Sequence, residues 1–171
     1  MLKDQKIICF APSDYWTMNP SCTTHIMSKL SKHNKILYIN PFSSDIARAK
    51  KQGLFTRISR KAKSLAKFLK KPKKNLYVFS PLFLPLQGSP FFDTINNFFL
   101  KLQLKIVSTC LGMSHPVLWI ENLRAAEAIE WFAPNLVVYH VSDLFSHSSY
   151  LADKKLLSQR DRIISQKSDI L

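Results

Sequence analysis

The sequence predicts a doubly wound α/β domain, and three observations predict it. Short runs of β-branched and aromatic residues recur along the chain, the composition of strands buried on both faces. Stretches with helical apolar spacing separate those runs, as a parallel sheet with crossover helices requires. The polar residues that carry chemistry gather just after the apolar runs, where open α/β sheets bind their ligands.

The first run is Lys6–Ala11, ended by Pro12, and a loop from Ser13 to Pro20 follows. Ser21 or Thr23 can cap a helix whose apolar stripe includes Ile26, Met27 and Leu30, with Asn34 as its stop. Lys35–Asn40 is the second strand, closed by Pro41, so this opening is a βαβ unit with a right-handed crossover. From Arg48 to Lys74 basic residues occur with no acidic residue among them, and Leu54, Ile58, Ala62, Leu65 and Leu69 keep helical spacing. That insertion reads as a basic amphipathic helix. It suits a solvated face, an anionic membrane surface or nucleic acid, although no recognition motif accompanies the last. On a membrane, Lys61, Lys63, Lys67 and Lys70 would meet the headgroups.

Asn75–Ser80 is the third strand, and prolines at 81, 85 and 90 break the chain after it. A long helix is expected from Phe91 to Leu111, with Phe91, Ile95, Phe98, Phe99, Leu102, Ile106 and Cys110 on a wide apolar face expected to be core. Pro116–Ile120 is the fourth strand with Glu121 at its exit, and residues 124–132 form a short helix before Pro134. Leu136–Tyr139 opens a fifth strand, expected to be the central one, which turns polar at His140 and Asp143. Those two are candidates for chemistry, or a satisfied polar residue and a turn cap. A helix over 151–167 leads to Asp169-Ile170-Leu171, which reads as the start of a sixth strand and suggests an incomplete domain.

Composition narrows the class. With 171 residues, 46% of them hydrophobic, the chain suffices for one domain with a real core and is not disordered. A formal net charge of +14 calls for an anionic partner or surface. Cys9, Cys22 and Cys110 have no paired spacing, which fits reduced thiols and argues against a zinc site. Neither a signal-peptide pattern nor a membrane-length apolar run is present, since Lys101 and Lys105 interrupt the most apolar region. A cytoplasmic protein, peripheral on the inner face of the membrane, is the expectation.

Ser13-Asp14-Tyr15-Trp16, Ile36–Pro41, Pro116–Trp119, Val138–Asp143 and Ser168–Leu171 form an ordered set. Together they resemble the N-terminal half of bacterial glycosyltransferases with two Rossmann-like domains, the B-type fold. The likeness is to the group 1, or family 4, enzymes that build surface polysaccharides, including the teichuronic-acid type. The resemblance implies a Rossmann-like acceptor-side domain, with a C-terminal donor domain outside this chain and no transfer by this half alone. It implies a nucleotide sugar as donor and a glycan or lipid-linked acceptor, with no metal, cofactor or nucleic acid. Asp143 and His140 would be catalytic, while Asp14, Trp16 and Glu121 would line the acceptor cleft, Trp16 stacking on a sugar. From its own position, Trp16 could equally be a loop aromatic covering the sheet edge. The sequence departs from the family in lacking a glycine-rich turn after the first strand and any G-x-G-x-x-G, and in placing His140 where relatives carry an acid. A non-catalytic Rossmann-like module, held on membrane or nucleic acid by the basic helix, is the alternative.

Overall fold

A computed structural model describes residues 2–41, 68–82, 90–141 and 154–171. Among these the elements are β1 (Lys6–Phe10), α1 (Cys22–Leu30), β2 (Lys35–Ile39), β3 (Leu69–Lys73), β4 (Leu76–Phe79), α2 (Pro90–Cys110), β5 (Val117–Ile120), the 3-10 helix η1 (Leu123–Trp131), β6 (Leu136–Tyr139) and α3 (Lys154–Lys167). They build a mixed α/β domain around one six-stranded sheet of order β3-β4-β2-β1-β5-β6. Every pairing is parallel except that of β3 with β4. Beyond β6, Ile170 bridges Val138 in parallel, and the Asp169 and Ile170 N–H groups donate to Val137 O at 2.9 and 3.2 Å. The apolar switch after Ser168 therefore does pair beside β6.

Alternation along the strands divides the core into two layers. Ile8, Phe10, Leu37, Ile39, Phe79, Leu118, Ile120, Val137 and Tyr139 point to one face, covered by Leu100, Leu104 and Val107 of α2, by η1 and by Ile164 of α3. Ile7, Cys9, Ile36, Tyr38, Leu76, Val78 and Val117 point to the other, where Met27 of α1 packs. The split follows from handedness. The chain moves from β1 to β2 in one direction and from β4 to β5 to β6 in the other, so right-handed crossovers put α1 and the later helices on opposite faces.

Local chemistry sets the ends. Ser21 is the N-cap of α1, its hydroxyl accepting from Thr24 N, and Asn34 closes the far end by donating to Leu30 O at 2.9 Å. Gly112, at φ +62°, ends α2: its N–H reaches Thr109 O at 2.9 Å and Met113 N–H reaches Ser108 O at 2.8 Å. That left-handed turn satisfies carbonyls the helix would leave open.

Four expectations change. The stretch around Lys70 is the edge strand β3, not the end of an amphipathic helix, because pairing with β4 outweighs the spacing of Leu69. Its lysines and Pro72 suit an edge, where they discourage further pairing. Strand β6 flanks the sheet instead of centring it, and only Val137 and Tyr139 are buried, Leu136 and Val138 being partly open. Residues 123–131 coil as a 3-10 helix. On α2 the predicted apolar face is largely the outward one, with Phe98, Phe99, Leu102 and Ile106 exposed. The rest of the basic segment, including Lys61, Lys63 and Lys67, lies outside the described residues, as does Asp143.

Candidate functional site

The strand order reverses between β1 and β5, and open α/β sheets place their ligand crevice outside the carboxyl ends of the strands at such a point. The Glu121 and Asn122 N–H groups both donate to Phe10 O, at 3.1 and 3.2 Å, which pins the exit of β5 against that of β1. Side chains alternate across the sheet, so Trp119, Glu121 and His140 all fall on the face that carries α1. The first turn of that helix meets Glu121.

Glu121 is 2% exposed and Thr23 is fully buried. The Thr23 hydroxyl donates to Glu121 Oε2. A carboxylate taken out of water needs compensation, and this one has a hydroxyl donor and the positive end of a helix dipole. Helix α1 has no acidic residue in its own first turn, so Glu121 supplies that charge from the exit of β5. Its charge is also felt by Cys9, whose thiol is pushed well above its ordinary value, first by burial and then by Glu121. Cys9 is thereby a neutral core residue and not a nucleophile.

His140 Nδ1 lies 3.3 Å from Glu121 Oε2, with its side chain 30% exposed. The approach is not aligned as a hydrogen bond, so Nδ1 is buried without a hydrogen-bonding partner. The imidazole also meets Trp119 edge to face at 5.5 Å. Thr23, Glu121 and His140 thus form a line from the buried helix start to the partly open crevice. A histidine with one nitrogen facing a carboxylate can present the other to a substrate hydroxyl.

The loop after β1 makes the opposite wall. Asp14 is exposed and its carboxylate accepts from Trp16 N–H at 2.9 Å, which makes it the anchor of an Asx-type turn. Asn40, 4% exposed at the end of β2, accepts from Tyr15 N–H at 2.9 Å and donates to Ser80 Oγ at 2.8 Å. The Tyr38 hydroxyl donates to Ser13 O at 2.8 Å, and burial pushes its phenol up to about 12. Trp16 packs edge to face on Tyr15 at 5.1 Å, and Lys70 Nζ stands 5.7 Å from its ring centre. Its Nε1 is buried without a partner. Lys70 therefore reaches the rim of this loop.

The structure brings Glu121 and His140 together and adds Thr23, which the sequence offers only as a possible helix cap. It places Asp14 and Trp16 next to each other on the neighbouring loop. No group of three His, Cys, Asp or Glu among the described residues is placed to hold a metal ion. No helix among them is long and apolar enough to cross a membrane. The chain matches no protein-family model, no curated protein and no solved structure.

Proposed function

We propose that this chain is the acceptor-side half of a glycosyltransferase that moves a sugar from a nucleotide donor to a surface glycan or lipid-linked acceptor. The observation that carries the reading is the buried Glu121 beside His140 at the switch point of a Rossmann-like sheet. In this role Glu121 fixes the orientation of the imidazole, and the free ring nitrogen of His140 takes the proton of the attacking acceptor hydroxyl. Thr23 holds the carboxylate in place. Trp16 offers its face to a sugar ring, and Lys70 offers charge to an acceptor phosphate. Asp143, three residues beyond His140 in the sequence, would be a further hydroxyl-orienting or basic group. The donor's leaving diphosphate would be met by a second domain, and the protein would work against an anionic membrane surface on its cytoplasmic side.

Acceptor binding tests this directly. Calorimetric titration with short saccharides and with polyprenyl-linked saccharides should give binding that Glu121→Gln and His140→Ala each weaken at least about ten-fold, a loss of about 1.4 kcal/mol. Absence of saccharide binding, or binding indifferent to both changes in a folded protein, would overturn the assignment.

A further inference from the structure

Helix α2 holds one face in the core and turns another to solvent. Leu100, Leu104 and Val107 form the buried face. Phe98, Leu102 and Ile106 stand at successive i, i+4 positions on the outer one, 64%, 45% and 54% exposed, with Phe99 beside them. Exposed hydrophobic residues scattered singly are ordinary, but a continuous stripe of this kind marks a contact surface. Lys101 and Lys105, both exposed and one turn apart, are the only charged residues between Thr94 and Cys110 and follow one margin of the stripe. Glu130, an acid close enough to Lys101 to feel its charge, is already paired with Lys167 at 2.5 Å.

We propose that this face of α2 docks on an anionic lipid bilayer, with the helix axis in the membrane plane, the apolar stripe inserted and both lysines at the headgroups. The inference deepens the membrane part of the reading above by naming a surface other than the lysine-rich insertion. Charge selects the occupant. A second copy of the chain would bring another body of net charge +14 against the same lysines, whereas anionic headgroups attract them. An amphipathic helix with one apolar face and flanking lysines binds in the plane of the interface. Helix α2 starts after the carboxyl end of β4 and finishes before β5, so it runs antiparallel to those strands. Lying flat, it would keep the sheet between the bilayer and the α1 face that carries Glu121 and His140.

Co-sedimentation with vesicles of phosphatidylcholine, with and without phosphatidylglycerol, tests the surface. The protein should bind the anionic vesicles and release as salt rises. Replacing Phe98, Leu102 and Ile106 together by Ser should abolish binding while the circular dichroism and melting temperature stay unchanged. Lys101→Gln with Lys105→Gln should lower partitioning roughly 20- to 30-fold, about five-fold per lysine. Changing Lys61, Lys63, Lys67 and Lys70 to Gln should weaken binding without abolishing it. If that quadruple change abolishes binding and the α2 changes do not, α2 is not the surface, though the membrane reading stands. No binding at low salt overturns both. Unfolding of the triple Ser variant, or a dimer that it dissolves in sedimentation velocity, assigns the stripe to the protein's own packing and overturns the proposal.

Discussion

Replacing Thr23 by Val removes one hydroxyl and changes almost nothing else in shape. Its consequence should be large, because that hydroxyl is a donor to the buried carboxylate of Glu121. A hydrogen bond to a charged group contributes about 1.5–3 kcal/mol, and solvent cannot replace it where both partners are 0% and 2% exposed. Thr23→Val should therefore cost about 2–3 kcal/mol, which in a chain of this size lowers the melting temperature by about 5–10 °C. Glu121→Met removes the buried charge itself and keeps the volume, so it should cost about 1 kcal/mol or less. With the acceptor gone, adding Thr23→Val to Glu121→Met should cost almost nothing more. A double-mutant cycle by urea unfolding measures the difference as a coupling of about 1.5–3 kcal/mol. Simple additivity, or a coupling below about 0.5 kcal/mol, would refute the description of Glu121 as a carboxylate stabilised from the first turn of α1.

Other outcomes follow from the same structure. Gly112→Ala should destabilise by about 1–2 kcal/mol by chemical denaturation, purely from the backbone at φ +62°, since a Cβ there meets nothing within 4 Å. Leu104→Ala, in the fully buried face of α2, should cost about 2–5 kcal/mol, whereas Phe98→Ser on the outward face should leave the melting temperature where it was. At alkaline pH the Tyr38 phenol loses its proton near its ordinary value in the unfolded chain but at about 12 in the folded one. The folded state thus holds the proton longer, and the stabilisation is whole below about pH 10 and lost as pH climbs through the folded value. Tyr139, raised by burial and then by its bond to Asp161, acts in the same direction. Tyrosinate absorbance and circular dichroism should therefore show these phenols ionising together with alkaline unfolding, and independent early titration would contradict their burial.

The inner parallel strands were legible because their neighbours on both sides are strands and both faces are covered, which leaves long apolar runs in the sequence. Strand β3 was not legible. Leu69-Lys70-Lys71-Pro72-Lys73 has no apolar alternation, and its conformation comes from pairing with β4 at the sheet edge. The face of α2 was ambiguous for a different reason. Both Phe98-Leu102-Ile106 and Leu100-Leu104-Val107 satisfy helical spacing, and periodicity alone cannot say which one meets the sheet. His140 and Glu121 stood out as polar residues at strand exits, but their contact depends on β5 and β6 lying side by side. Thr23 could not be found from sequence at all, since its partner is 98 residues away and a threonine at a helix start already has a local explanation.

The clasp at Asn40 has a consequence for how the crevice meets a ligand. One buried amide joins the loop after β1 to the exit of β4 through Tyr15 N–H and Ser80 Oγ, while Tyr38 holds Ser13 from below. The wall that carries Trp16 is therefore set when the chain folds, and its ordering entropy is spent in folding and not at the moment of binding. A saccharide entering there would meet a rigid ledge, so its association should be fast and its affinity governed by how soon it leaves.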